Sequence, residues 1–127
     1  MNGGRFRVGP FVETTYAGIP GRSARTIEAW ISTRANANPN AGGKQKIIAD
    51  YGTFSTGARF TFCVLWENAI RLEVGGSGLS GRIAVNDGRW HHVAAVYDPN
   101  AANKIALYVD GVLDTSGNIP TPVNTGN

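Results

Sequence analysis

The chain carries one cysteine, Cys63, so no disulfide can form within it. Cys63 sits inside an apolar run and reads as a buried, inert thiol. There are two histidines, adjacent at His91 and His92. On a strand they face opposite sides, and no further Cys or His is present to complete a zinc shell. No apolar run reaches the length of a membrane span. The opening MNGGRFRVG lacks the apolar segment of a secretory signal. Basic clustering is also absent. Nine Arg and three Lys against nine acids give a net charge of +3, but residues such as Arg22, Arg59, Arg71, Arg82 and Arg89 stand singly, which argues against a nucleic-acid surface. Arg5 and Arg7 read as part of a solvated N-terminal strand.

Catalytic constellations are missing as well. Glu28, Glu67, Glu73, Asp87, Asp98, Asp110 and Asp114 are isolated, so no strand presents the paired carboxylates of a glycosidase. There is no Gly-x-Ser-x-Gly, no P-loop and no dinucleotide fingerprint. Gly75-Gly76-Ser77-Gly78 lacks the lysine and the following helix of a phosphate cradle.

What the chain does contain is glycine, 17 in 127 residues, with little charge and no amphipathic helical stripe. Many tight turns between short strands imply an all-β antiparallel sandwich, read as one domain over residues 1–127. The expected order begins with an edge strand over 5–15 and a turn-rich connection through Pro20-Gly21. Strands follow at 26–33 and 46–50, separated by a polar loop over 35–44. A hairpin spans 59–66 and 70–74. A flexible glycine loop at 75–81 leads to a short strand at 82–85, and residues 117–127 read as turn.

The densest signal lies between Asn86 and Asp114. Trp90–Tyr97, WHHVAAVY, is aromatic and β-branched, bracketed by Asp87-Gly88 and Asp98-Pro99. Both its faces are apolar, so it reads as a central strand covered on both sides. Lys104–Val109 alternates, and Asp110-Gly111 marks a type I′ hairpin turn. The pieces DGRWHHVAAVYD and IALYVDGVLD, with TIEAWIST at Thr26 and its lead-in YAGIPGRSAR, resemble the laminin-G-like subgroup of the concanavalin A-like jelly rolls, bacterial members included. The resemblance runs from about Phe11 to the C-terminus. It implies two antiparallel sheets packed face to face, a secreted or cell-surface setting, and glycan or protein-surface ligands, sometimes held through Ca²⁺. Trp90, His92, Asp110 and Gly111 are then scaffold. Relatives usually continue into two more strands after a segment like 123–126. The sandwich is therefore expected to be incomplete at its C-terminal side, with an open edge filled by homodimerisation or by the N-terminal segment through Phe11 and Val12.

Ligand-binding candidates follow from exposed aromatics and their polar neighbours: the loop residues Tyr51 and Phe54, with Arg59, and Trp30 beside Glu28 and Ser32. Trp30 also has a second reading, half-buried under a loop with its N–H bonded. Asp50, Asp98 and Asn100 are weak calcium candidates, and no resident cofactor is expected. For the 59–74 hairpin a two-residue loop would expose Phe60, Phe62 and Trp66 beside Arg71 and Glu73. A three-residue loop, Glu67 to Ala69, would gather them on an apolar core face, and it sorts apolar from polar better. The expected function is a non-catalytic recognition module for a glycan or a protein surface. The alternatives are an assembly domain acting through its open edge and, third, a glycosidase remnant.

Overall fold

Alternating and β-branched sequence becomes eight strands in the computed structural model, which describes residues 11–126. They are β1 (Arg25–Ser32), β2 (Lys46–Gly52), β3 (Arg59–Leu65), β4 (Ala69–Glu73), β5 (Gly78–Ala84), β6 (Trp90–Tyr97), β7 (Ile105–Val109) and β8 (Val112–Gly117). All pairings are antiparallel, and they build one sheet of order β1-β6-β7-β8 and a second of order β2-β3-β4-β5. The two sheets form a jelly-roll sandwich of the expected all-β class. Strand alternation fills the space between them. Phe60, Phe62 and Val64 of β3 and Ile70 and Leu72 of β4 meet Val93, Ala95 and Tyr97 of β6 and Ile105, Leu107 and Val109 of β7. Each large side chain so buried contributes roughly 1.5–3 kcal/mol.

One side of the sandwich is fastened by a carboxylate. Asp114 on β8 accepts the Arg82 N–H of β5 with both oxygens, at 2.9 and 3.1 Å. A Cβ on Gly81 would sit 2.0 Å from that carboxylate, so glycine is required for the approach. The opposite side is open: among the described residues β1 pairs with β6 alone and β2 with β3 alone.

Several expectations change. Residues 11–15 form no strand, and 5–10 lie outside the described residues. The glycine segment 75–81 is half strand, because β5 begins at Gly78. Strand β6 is central, but its outer face is only partly covered: Ala94 is buried there, while Trp90 at the strand's start is exposed. Tyr51 belongs to β2, not to a loop. It is half-buried, its ring stacked on Phe60 at 5.4 Å.

The 59–74 hairpin takes neither expected register. Val64 pairs with Ile70 and Leu65 with Ala69, leaving Trp66, Glu67 and Asn68 in the turn. The shift from the three-residue expectation is two residues, which preserves the faces. Phe60, Phe62 and Val64 therefore enter the core as that register required, while Trp66 escapes to the surface. Glu67 and Asn68 both take φ of 60°. Tertiary bonds hold this turn: Asn68 accepts the Ala37 N–H on its side chain at 2.7 Å and the Val85 N–H on its carbonyl at 3.0 Å. The Asp110-Gly111 turn has the expected positive φ at both residues, 52° and 78°.

One buried cation knits the ends of the described chain together. Arg25, 4% exposed, donates to the carbonyls of Ile19, Pro20, Gly21 and Ser23, to the Tyr51 hydroxyl and to Thr125 Oγ1. Its guanidinium also lies over the Phe60 and Tyr97 rings.

Candidate functional site

Two outward faces compete as a site, one on each sheet. On the second sheet the register aligns Asp50, Thr61 and Glu73 across three strands. The acids are isolated in sequence, but pairing gathers them on one face. Arg59 grips Asp50 through Nε at 2.7 Å and through Nη2, and Thr61 donates to the same carboxylate at 2.9 Å. Arg71 holds Glu73 at 3.1 Å and Ser80 at 2.9 Å. Phe54 lies flat under the Arg59 guanidinium, 4.0 Å from ring centroid to carbon. Cys63 also lies on this face, beneath Gln45 Nε2, and burial pushes its thiol up to about 11. Asp50 raises the Arg59 value further through their hydrogen bond. The face is thus a lattice of mutually satisfied charges, with little left to offer a ligand.

The outer face of the first sheet is different. Pairing of β1 with β6 sets Trp30 beside His92 and Ser32 beside Trp90. The two indoles come from segments sixty residues apart in the chain, yet they are diagonal neighbours on one surface. They are 66% and 69% exposed. Trp30 meets the His92 ring edge-on at 5.3 Å, and His92 Nε2 lies 3.5 Å from a Glu28 oxygen. Farther across, Ala94 pairs with Tyr108 and Tyr108 with Leu113, which is also exposed. Aromatic surface and polar groups therefore alternate across this sheet face. Such an exposed apolar patch with a polar rim marks a contact surface. Trp30 is not buried under a loop, and of Tyr51, Phe54, Arg59 and Trp30 it alone lies here.

A second constellation holds one end of this platform in place. His91 points to the other side of β6 and is gripped from two turns. Its Nδ1 lies 2.8 Å from Asp110 Oδ2 and its Nε2 3.0 Å from Asp87 Oδ1. Asp110 also accepts the His92 N–H, and Asp87 the Arg89 N–H. Trp90 sits between these anchored residues, and the Gly88 N–H donates to Thr33 O to tie the turn to the end of β1. The Asp110 hydrogen bond raises the His91 value, with Asp87 adding to it. In return His91, and then the His92 N–H, lowers Asp110. The Arg89 N–H, and then His91, lowers Asp87.

The signs fix a pH window. The raised imidazole favours the folded state below about pH 6.5, and that contribution is lost as pH rises through the folded value. The lowered carboxylates favour it above about pH 3.8, lost as pH falls through theirs. Melting temperature is therefore expected to decline from about pH 6 to about pH 8, with a weaker slope in His91→Gln. Histidine proton shifts followed by NMR should place His91 above the ordinary range. A pH-independent melt, or a His91 value below that range, would contradict the clamp.

The calcium candidates do not assemble. Asp50 is gripped by Arg59, whereas Asp98 accepts the Asn100 N–H in a local turn at 2.9 Å. Among the described residues no three His, Cys, Asp or Glu side chains gather as a metal-holding group. This donor set does not fit a cation that wants several oxygens at once.

Comparison with curated proteins and with solved structures returns no match. A laminin-G family model, described as the concanavalin A-like lectin/glucanases superfamily, matches residues 7–127. That span covers nearly the whole chain, and its expected architecture is the two-sheet sandwich described above, so the chain belongs to this superfamily.

Proposed function

We propose that this domain is a non-catalytic recognition module that takes a carbohydrate on the outer face of β1 and β6. The observation that carries this reading is the pair of exposed indoles, Trp30 and Trp90, set on one sheet face beside Glu28, Ser32 and His92. An indole offers a broad apolar face to the C–H side of a sugar ring, while carboxylate, hydroxyl and imidazole neighbours meet its hydroxyls. Covering about 100 Å² of indole is worth roughly 2–3 kcal/mol. The hold on Asp87 and Asp110 keeps Trp90 in position before a ligand arrives, which lowers the entropic cost of binding. The non-catalytic character is supported by the acids themselves: Asp50, Glu73, Asp87, Asp110 and Asp114 are each tied to a cation, an imidazole or backbone N–H groups. No resident metal or cofactor enters this reading, and its natural setting is secreted or at a cell surface. A domain of this superfamily fits a carbohydrate- or protein-binding module, and the aromatic platform favours the first.

The test is retention on insoluble polysaccharides and on a glycan array, with and without calcium. Trp30→Ala and Trp90→Ala are each expected to weaken binding about tenfold or more, with stability changed by no more than about 1 kcal/mol. Blank panels under both conditions, or binding that survives both substitutions, would sink the reading. The edge of β1, unpaired among the described residues, favours a second reading, in which the domain serves assembly.

A further inference from the structure

An imidazole has two ring nitrogens. When neutral it donates from one and accepts with the other, and only the imidazolium donates from both. Both nitrogens of His91 face carboxylate oxygens: Nδ1 lies 2.8 Å from Asp110 Oδ2 and Nε2 3.0 Å from Asp87 Oδ1. A carboxylate only accepts, so both contacts are satisfied only when the ring carries two protons. Asp110 also accepts the His92 N–H and Asp87 the Arg89 N–H, which keeps both acids ionised. Among the described residues these two are the only acids within ion-pairing distance of His91. Two cations stand nearby. Arg89 Nε lies 3.4 Å from Asp87 Oδ2, and the Arg34 guanidinium lies against Gly88 in the same turn, where a Cβ would come within 2.6 Å of Nε. From β1 the cross-strand neighbour of His91 is the uncharged Ile31. On the far side of the strand His92 faces Glu28.

We infer that the carbohydrate platform is proton-gated: the imidazolium of His91 ties the Asp87 turn to the Asp110 turn and so fixes Trp90, and loss of its proton frees Trp90 and weakens sugar binding. This deepens the carbohydrate reading and rests on it. The neutral ring keeps its proton on Nδ1, where the contact to Asp110 is the shorter of the two. Nε2 then turns a lone pair toward Asp87 Oδ1, and an attraction becomes a repulsion at hydrogen-bond distance. The turn stays attached to β1, because the Gly88 N–H still reaches Thr33 O and the Ser32 hydroxyl still reaches Gly88 O. What is lost is the fixed segment between Asp87 and His91, and Trp90 lies within it. Trp30 stands on β1, outside the clamp, and keeps its place. Immobilising one such side chain on binding costs about threefold to tenfold in affinity. The protonated clamp removes that cost at the Trp90 end of the platform alone.

Two measurements test this, one of them without any ligand. Nitrogen relaxation by NMR is expected to show the Trp90 indole N–H more mobile at about pH 8 than at about pH 6, while the Trp30 indole changes little. Retention on insoluble cellulose, chitin and xylan and on the glycan array is expected to fall about threefold to tenfold between the same two pH values. His91→Gln carries no proton that pH removes, so both responses are expected to flatten. His92→Gln weakens the platform itself but is expected to keep the pH response. Trp90→Ala is expected to lose the response and Trp30→Ala to keep it. A Trp90 indole equally ordered at both pH values overturns the gate, as does a pH response that survives His91→Gln or Trp90→Ala. In each of these cases the carbohydrate reading stands as long as retention still depends on the two indoles. Mobility that changes while retention does not also overturns the gate and leaves His91 a purely structural residue. Blank panels at both pH values remove the carbohydrate reading and the gate with it.

Discussion

Replacing Arg25 with methionine is expected to destabilise the fold by roughly 3 kcal/mol or more, seen as a fall of about 10 °C or more in melting temperature. The side chain is almost fully buried and donates to four carbonyls and two hydroxyls. These acceptors come from the 19–23 lead-in, from β2 and from Thr125 near the end of the described chain. Methionine matches the apolar stem but supplies no donor, so the loop carbonyls must recruit water or remain unpaired. Lysine is expected to recover little. Its single ammonium cannot fork toward Ser23 O, Gly21 O and Thr125 Oγ1 at once, nor spread flat over Phe60 and Tyr97. None of these hydrogen-bond partners is a carboxylate, so the effect should hardly change with salt. Chemical denaturation of Arg25→Met and Arg25→Lys measures it. A loss below about 1 kcal/mol in both would mean that the lead-in and the C-terminal segment hold together without this side chain.

Nothing local in the sequence announces Arg25. It reads as one more dispersed arginine ahead of Thr-Ile-Glu-Ala-Trp, and its acceptors lie up to a hundred residues away. The parts that were legible are those whose cause is local. Alternation and Asp-Gly punctuation define β6, β7 and their turns, and the left-handed backbone at Asp110-Gly111 is where turn chemistry requires it. The candidate site is legible only in pieces. Trp30 draws notice as an aromatic beside Glu and Ser, while Trp90 reads as covered scaffold. Their meeting depends on β1 pairing with β6 across four intervening strands. The His91 clamp divides in the same way. Asp87 and Asp110 are recognisable as turn residues, but the β6–β7 register, with Val93 opposite Val109, brings Asp110 back to the histidine. Tyr51 misleads for a related reason: β2 runs two residues farther than its composition suggests and carries the ring inward.

The hairpin carries the other large effect. Phe62→Ala is expected to cost about 3–5 kcal/mol, whereas Trp66→Ala, although it removes a larger side chain, should cost about 1 kcal/mol or less. Composition alone would reverse that ranking. Phe62 is fully buried between the sheets, so truncation leaves a cavity that β4 and β6 can only partly close. Trp66 stands in the turn at 40% exposure, and the turn is held by Asn68 rather than by the indole. Thr61→Ala supplies the internal control, because it neighbours Phe62 but faces the opposite side. Removing its hydroxyl takes one hydrogen bond from Asp50 and leaves the Arg59 pair intact, a loss of about 1 kcal/mol. Equilibrium unfolding of the three variants separates the registers. If Phe62→Ala proved as mild as Trp66→Ala, the two-residue loop would be correct. The phenylalanines would then form an outward aromatic face, and the binding surface would have to move from the first sheet to the second.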